Sequence, residues 1–285
     1  MSFDYIIDKI NDARFEKDPF KFIYIEDFLT PDHFDFIRSY SDIQLNYQLS
    51  TENLMNELKS IGYTPVEFPG CTIDESAYLN WYQTQAGPMP SHAHGLIEGF
   101  GMAYRLQFYR HTFISEFMSF LNSDLFLRTL MNKFDIHGEM VVETAIQKYL
   151  SGYEISPHPA IRKKAMTYML NINPDDVEHL GLGTHFMKFK PNKEWIYKEW
   201  KENVQYDRCW VPWDWCDTVF TQTKNNSITI FAPDYNTLHS VKLNYDHCKT
   251  QRTQVYGNLW HKVKPEVKPR TWQNYHAGSR DANAQ

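Results

Sequence analysis

A histidine near the middle of the chain is followed by a small apolar residue where a metal site would carry a carboxylate. His158 and Ala160 lie two positions apart in the segment 152–160. Residues two apart in a β-strand point to the same face, so we expect both side chains to aim at one spot. A mononuclear iron site uses two histidines and one carboxylate on one side of the metal. The segment therefore predicts the first strand of such a site, with Ala160 in the carboxylate position.

A second histidine and an arginine follow at strand spacing. Residues 237–241 read as a short strand after a turn, and His239 within it is the candidate second ligand. Residues 252–260 alternate cleanly, which places Arg252, Gln254 and Tyr256 on one face. A guanidinium that projects from an apolar strand suits bidentate capture of a carboxylate. The pattern therefore indicates a metal site beside a carboxylate-binding cation.

In this order the residues resemble the Fe(II)/2-oxoglutarate-dependent oxygenases, in particular their prolyl-hydroxylase-like branch. The family pattern is a tyrosine on a strand, a glycine turn, His-x-Asp, a distal histidine and a basic residue about one strand later. The resemblance implies that Tyr149 hydrogen-bonds 2-oxoglutarate, that His158 and His239 bind Fe(II), and that Arg252 holds the far carboxylate of 2-oxoglutarate. The glycine turn corresponds to Gly152.

The resemblance covers about residues 141–262, including the entry of Gly183 and Thr184 into a strand, and more weakly residues 27–31. It departs from the family pattern at Ala160. Members with alanine or glycine at that position resemble the radical halogenases, in which a halide occupies the vacated coordination position. The implied cofactors are Fe(II), 2-oxoglutarate, O2 and chloride or bromide, and the implied reaction is halogenation of an unactivated C–H bond of a small molecule.

Other interpretations of Ala160 stay open. The chain is alternatively a hydroxylase whose ligand aspartate has been replaced, naturally or by engineering, or a non-catalytic binding module of the same fold. A nearby carboxylate, from Asp175, Asp176 or Asp234, is a further candidate ligand.

Several residues compete with the assigned ones. His179, His185 and His247 are rivals for the distal position, and His185 is the strongest because it also follows a glycine turn into a strand. His239 is preferred because a basic residue follows it at strand distance. The pair formed by His92 and His94 lacks an acidic or thiol neighbour and is interpreted as a loop feature. Tyr149 is alternatively a core aromatic residue.

Composition is typical of an ordinary enzyme. The 285 residues are 42% hydrophobic and 16% aromatic, with a net charge of −6. This charge argues against a surface that coats nucleic acid, and no apolar run approaches the roughly 18 residues of a membrane span. The first residues lack the charged and apolar regions of a secretory signal. The four cysteines lack Cys-x-x-Cys spacing and are expected to be reduced. We therefore expect a cytoplasmic protein with a small-molecule substrate.

The periodicities predict an α+β fold with a double-stranded β-helix (jelly roll, cupin-like) core and N-terminal helices packed on one sheet. Helices are predicted from Thr30 and Pro31, over 51–61 with Thr51 as N-cap and Gly62 as terminator, and over 112–134 with a break at 122–123. An early strand is predicted at 21–25, and strand fragments and loop over 63–90.

The predicted organisation is a single domain. Residues 1–140 form a helical and flanking-strand region, residues 141–262 form the core with the iron site, and residues 263–285 form a loosely ordered tail. A Trp-rich insertion near 191–217 is a candidate substrate lid, or alternatively a flap on the barrel exterior. Lysines just before and within it, at 188, 190, 193 and 198, leave open whether the substrate is free or tethered to a carrier protein.

Overall fold

Two antiparallel sheets, flanked by helices, make up the part of the chain that the computed structural model describes, namely residues 2–67, 71–85 and 100–275. The helices are α1 (Asp4–Asp12), α2 (Pro31–Ser39), α3 (Thr51–Ile61), α4 (Glu75–Thr84), α5 (Thr112–Leu121), α6 (Asp124–Phe134) and α7 (Trp195–Glu202). The strands are β1 (Phe15–Glu16), β2 (Phe22–Ile25), β3 (Thr64–Val66), β4 (Ala103–Leu106), β5 (Met140–Tyr149), β6 (Glu154–His158), β7 (Lys164–Asn171), β8 (Thr184–Phe189), β9 (Cys216–Gln222), β10 (Ile228–Phe231), β11 (His239–Lys242) and β12 (Arg252–His261).

From β5 onward the chain passes back and forth between the two sheets, except that β8 and β9 follow each other in the smaller one. The larger sheet has the order β1-β2-β10-β7-β12-β5-β4-β3, and the smaller sheet has the order β6-β11-β8-β9. Phe186 on β8 packs edge-on against Phe231 on β10, with ring centroids 5.4 Å apart, so aromatic side chains join the sheets. Alternation of this kind between two antiparallel sheets is a double-stranded β-helix, and the predicted fold class is confirmed.

The helices before β5 pack on the larger sheet through one continuous hydrophobic core. Ile114 and Phe117 of α5 and Leu54 of α3 belong to the same buried cluster as Ile146 of β5 and Leu170 of β7. Each of these side chains is almost completely buried. The apolar stripe of each helix and the apolar face of the strands therefore bury each other, as the periodicity predicts.

Helix ends agree with the predicted caps and with the predicted break, with one shift. Thr30 caps α2 with Pro31 in its first turn, and Ser123 caps α6 after the break at residues 122–123. Gly62 ends α3 in the left-handed conformation, with φ +113°, as glycine does most readily. The N-cap of α3 is Ser50, whose hydroxyl accepts the N–H of Asn53, and the prediction of Thr51 as the cap was wrong by one residue.

Three helices, α1, α4 and α7, were not predicted, and α4 contradicts an explicit prediction. Residues 63–90 were expected to form strand fragments and loop, yet α4 occupies 75–84 behind the N-cap Asp74. Tyr78 is the one buried residue of α4, so the segment lacks the apolar stripe by which a helix is recognised. Its position depends on tertiary contacts such as the bond that Tyr78 Oη donates to the carbonyl of Ser151, at 2.8 Å.

The Trp-rich segment has a small core of its own outside the sheets. Ile196 and Trp200 of α7 pack with Val211 and Trp215, and the cluster also contains Tyr275. Trp200 Nε1 donates to Tyr275 Oη at 2.9 Å. The chain after residue 263 was predicted to be loosely ordered, but this bond and the 2% exposure of Tyr275 attach it to the segment as far as residue 275. No helix among the described residues is long and apolar enough to cross a membrane.

Candidate metal and dicarboxylate site

The two candidate ligand histidines are direct neighbours across two strands. His158 is the last residue of β6 and His239 the first of β11, and they are paired in register. Their ring centroids are 4.2 Å apart, and each residue is 8% exposed. Residues opposite each other in an antiparallel pair point to the same face of the sheet. The fold therefore brings together two imidazoles that are 81 residues apart in the sequence.

Each imidazole is oriented by a backbone carbonyl two residues earlier. His158 Nδ1 lies 2.9 Å from the carbonyl oxygen of Ser156, and His239 Nδ1 lies 2.9 Å from that of Thr237. A carbonyl oxygen only accepts, so Nδ1 carries the proton in both rings and Nε2 carries a lone pair. Metal-binding histidines commonly show this second hydrogen bond, because it holds the ring and its tautomer. Both Nε2 atoms are therefore in the form that binds a metal.

The charge around His239 favours its neutral form. Burial lowers the pKa of His239 to about 4, and the positive charges of Lys164 and Arg208 act in the same direction. At neutral pH the ring is uncharged and its lone pair does not compete with a proton. These neighbours are cationic, so the site favours negatively charged ligands.

Ala160 does not share a strand with His158. β6 ends at His158, and Ala160 has φ +59°, in the left-handed region. The premise that residues 158 and 160 occupy alternate positions of one strand was therefore wrong. Thr237 Oγ1 donates to the carbonyl of Pro159 at 3.0 Å, which ties the turn to the segment that leads into His239. Ala160 is 4% exposed, so its methyl group is enclosed.

No third ligand completes the histidine pair within residues 2–67, 71–85 and 100–275. No group of three or more His, Cys, Asp or Glu side chains with metal-binding geometry occurs there. None of the carboxylates considered as substitutes groups with the histidines. Asp175 is exposed, Asp176 lies 3.6 Å from Arg38, and Asp234 accepts the N–H of Tyr235. The described part of the chain thus offers a two-histidine site.

The rival histidines do not join this pair. His179 is exposed, and His185 Nδ1 is 3.2 Å from the hydroxyl of Thr218. His247 accepts the N–H of Ser151 at Nδ1, at 3.2 Å. His92 and His94 lie outside the described residues.

Arg252 is a buried cation without a counter-charge. The residue is 1% exposed, and its Nη2 donates to Thr184 Oγ1 at 2.9 Å. Its Nε and Nη1 are buried and make no hydrogen bond with any described residue. No carboxylate of the described residues is among the charges that act on it, and burial lowers its pKa. Two guanidinium nitrogens, with three N–H groups between them, are therefore left for a ligand.

Strand β8 connects the arginine to the histidines. Arg252 bonds to Thr184, and Phe186 on the same strand pairs in register with His239. Residues two apart on a strand share a face and lie about 7 Å apart along it. The hydroxyl of Thr184 and the imidazole of His239 thus project from one face of the smaller sheet. Arg252 reaches that face from the larger sheet, so the site lies between the sheets.

Tyr149 is held as a hydrogen-bond donor by its neighbours. Arg105 donates to Gln147 Oε1 through Nε and Nη2, at 3.0 and 2.7 Å, which fixes the orientation of the amide. Gln147 Nε2 then donates to Tyr149 Oη at 2.6 Å. Because this oxygen already accepts, its own proton is directed to another acceptor. Burial raises the pKa of Tyr149 to about 12, so the proton is retained at neutral pH.

Two residues at the site were not singled out from the sequence. Trp210 stacks on His158, with ring centroids 5.4 Å apart and an interplanar angle of 21°. Arg208, two residues earlier, is 5% exposed. Both belong to the Trp-rich segment. A basic residue inside a run of aromatic residues is the signal in the sequence by which they could have been found.

Comparison with known proteins finds no matching family model and no matching curated protein. A prolyl-4-hydroxylase from Pseudomonas putida is 10% identical, with a TM-score of 0.45, over 90% of this chain and 98% of that one. A prolyl hydroxylase from Trichoplax adhaerens, in complex with a hypoxia-inducible-factor peptide, is 10% identical with a TM-score of 0.46, over 91% and 89% of the two chains. An oxidoreductase of the 2OG-Fe(II) oxygenase family from Burkholderia pseudomallei is 10% identical with a TM-score of 0.34, over 80% and 99%. Likenesses of this size do not assign an activity.

Proposed function

We propose that the protein is an Fe(II)/2-oxoglutarate-dependent oxidoreductase in which His158 and His239 bind the metal. Arg252 binds the distal carboxylate of 2-oxoglutarate, and Tyr149 donates a hydrogen bond to it. The observation that carries the proposal is the buried guanidinium of Arg252, two of whose nitrogens make no hydrogen bond. Thr184 of β8 anchors it on the face of the smaller sheet from which the histidine pair projects. When bound, Fe(II) and 2-oxoglutarate supply activation of O2 for oxidation of a C–H bond.

The energetics of Arg252 support an anionic ligand. Burying a charge without a partner costs several kcal/mol, and an aliphatic residue of similar volume avoids that cost. The cation lies over the ring of Tyr149, 4.7 Å from its centroid, and this contact offsets only part of the penalty. A planar guanidinium is suited to a carboxylate, because two parallel N–H groups match its two oxygens. A dicarboxylate can be held by the arginine at one end and reach the histidines with the other.

Each protein group has a distinct task in this arrangement. The Nε2 lone pairs of His158 and His239 hold the metal, and the carbonyls of Ser156 and Thr237 keep both rings turned toward it. The enclosing sheets exclude water, which strengthens the ion pair between Arg252 and a carboxylate.

For the reaction itself we propose halogenation, with the halide beside Ala160. The methyl group leaves open the space that a ligand carboxylate would fill. Two cations act on His239, namely Lys164 and Arg208. Among the described residues, no carboxylate joins the histidine pair to balance their charge. Chloride or bromide would restore this missing negative charge, and the substrate radical would then take halogen in place of hydroxyl.

A second candidate is a hydroxylase that has lost its ligand aspartate, and one observation favours it. Ala160 has φ +59°, a conformation in which Asp and Asn occur several-fold more often than other side chains. The backbone at position 160 therefore suits the residue that the hydroxylase pattern requires.

The basic proposal is tested by anaerobic addition of Fe(II) and 2-oxoglutarate. We expect a weak visible charge-transfer band, which His158→Ala and His239→Ala should abolish. Arg252→Met should raise the 2-oxoglutarate concentration needed for the band at least about tenfold, the size of one lost charge-assisted hydrogen bond. His179→Ala and Arg270→Gln are matched controls outside the site and should leave the band unchanged. Absence of the band in the unaltered protein would refute the proposal.

Chloride separates the two candidate reactions. In the halogenase, chloride should tighten 2-oxoglutarate binding and shift the band, and Ala160→Asp should remove this response. In the disabled hydroxylase, chloride should have no effect, and Ala160→Asp should raise succinate formation strongly. A flat chloride response therefore contradicts halogenation.

A further inference from the structure

We propose that Arg208 binds the carboxylate of the primary substrate, so that the substrate is a small organic acid. The inference rests on the proposed function, because it assigns a role to a second cation at the same site. It differs from the role of Arg252, which belongs to the larger sheet and to 2-oxoglutarate.

Arg208 lies on a stretch of chain that runs alongside the turn after His158. The N–H of Val211 donates to the carbonyl of Pro157 at 2.9 Å, and the N–H of Arg162 donates to Asp207 Oδ1 at 2.9 Å. Residues 207–211 are therefore fastened at both ends to residues 157–162, which include Ala160. Trp210 stacks on the His158 ring between these two contacts.

The side chain of Arg208 is buried and incompletely bonded. The residue is 5% exposed, and its Nε is buried with no hydrogen-bond partner among the described residues. Burial and the charge of Arg162 lower its pKa to about 10, so it remains cationic at neutral pH. Burying charged N–H groups destabilises the folded protein unless a ligand accepts hydrogen bonds from them.

The carboxylates around Arg208 are occupied by other contacts. Asp207 Oδ1 accepts the backbone N–H groups of Arg162 and Arg208. Asp234 Oδ1 accepts the N–H of Tyr235. The charges of both raise the pKa of Arg208, but neither accepts a hydrogen bond from its Nε. Arg162 is satisfied by the carbonyls of Tyr206 and Trp200.

The chemistry of the group favours a carboxylate over a halide as the occupant. A guanidinium presents its N–H groups as a planar fork that matches two oxygens, whereas a spherical halide uses one of them at a time. The Trp-rich segment also lies outside the two sheets, and such connections commonly carry substrate specificity on a rigid scaffold. An acid held there would lie near the histidine pair, because the charge of Arg208 acts on His239.

The test compares small acids with their amides, by calorimetric titration of the metal-free protein. The probe pairs are benzoate with benzamide and phenylacetate with phenylacetamide, with chloride as a third arm. Excess 2-oxoglutarate occupies Arg252, and a parallel series in Arg252→Met removes that competing cation altogether. We expect the acids to bind and the amides not to bind.

The matched variants assign this binding to Arg208. Arg208→Gln should weaken acid binding at least about tenfold, and Arg208→Lys should weaken it less because the charge is kept. Arg270→Gln, in the same region but stacked on Tyr206, should leave it unchanged. The acid-against-amide comparison in the unaltered protein needs no variant to fold.

Four results would overturn the proposal: no acid binds the unaltered protein, amides bind as well as acids, Arg208→Gln binds acids normally, or chloride alone binds through Arg208. The charge-transfer band with Fe(II) and 2-oxoglutarate is recorded separately. If the band appears but no acid binds, only the role of Arg208 is refuted, and the iron site stands. If acids bind but no band appears, the iron site is refuted, and Arg208 remains an acid-binding group.

Discussion

The guanidinium carbon of Arg252 lies 4.7 Å from the centroid of the Tyr149 ring, and the two residues are direct partners across β12 and β5. The ring supports the cation without neutralising it. A negative charge is therefore missing at the boundary between the two sheets. This pair links stability to binding, because a charge that is buried to hold a ligand destabilises the protein when the ligand is absent.

Arg252→Met should uncouple these two properties. Removing an unpaired buried charge is expected to raise the free energy of unfolding by about 1 kcal/mol, since apolar replacement of buried ionic groups is often neutral or stabilising. Binding of 2-oxoglutarate should be lost at the same time. Chemical denaturation and calorimetric titration measure the two effects. A marked loss of stability together with unchanged binding would show that the arginine is a structural residue.

Tyr149→Phe tests the hydroxyl alone. The ring and its contact with Arg252 remain, while one donor to 2-oxoglutarate is lost, so affinity should fall about fivefold, the equivalent of about 1 kcal/mol. Tyr168→Phe is the matched control, because its hydroxyl bonds to Thr144 on the same sheet, away from Arg252. It should reduce stability and leave affinity unchanged. Equal affinities in both variants would make Tyr149 a core aromatic residue.

Ala160→Gly should stabilise the protein. A left-handed backbone costs an alanine roughly 1–2 kcal/mol, and glycine avoids this cost while losing part of the gain to its greater freedom when unfolded. A net increase of about 0.5–1 kcal/mol is expected in denaturant unfolding. The same substitution at Ala165, the second residue of β7, should have the opposite sign. A loss of stability at position 160 would contradict the left-handed conformation.

His247 should make stability depend on pH. Burial lowers its pKa to about 4, and its Nδ1 accepts the N–H of Ser151, which a protonated ring cannot do. The unfolded state, with a pKa near 6.5, binds the proton first as pH falls. Stability is therefore complete above about pH 6.5 and declines toward pH 4, by about 3 kcal/mol for this residue.

The measurement is the free energy of unfolding across this pH range in the unaltered protein and in His247→Gln. The variant should show a shallower decline, and the remaining slope includes His239, whose pKa is lowered in the same direction. His137→Gln, at an exposed position, should reproduce the slope of the unaltered protein. Identical slopes for His247→Gln would mean that the buried ring is not the titrating group.

Local signals in the sequence were sufficient for much of the fold. The capping residues Thr30 and Ser123, the glycine that ends α3 and the alternation of β7 and β12 are determined by neighbouring residues, so their elements were predictable. Helix α4 was missed because it has no apolar stripe, and its helical state depends on contacts with distant residues such as Ser151.

The sequence by itself determined which residue types are available to the site: two strand histidines, one arginine on an alternating strand, and an alanine in place of a carboxylate. Tertiary structure alone decided how they meet. The register of β6 with β11 places His158 beside His239, and β8 brings Thr184 to Arg252. These pairings join residues that are far apart in the chain, so no local pattern encodes them. Burial likewise decided that Arg208 and Arg252 lack full partners, because an unpaired charge is a property of everything packed around it.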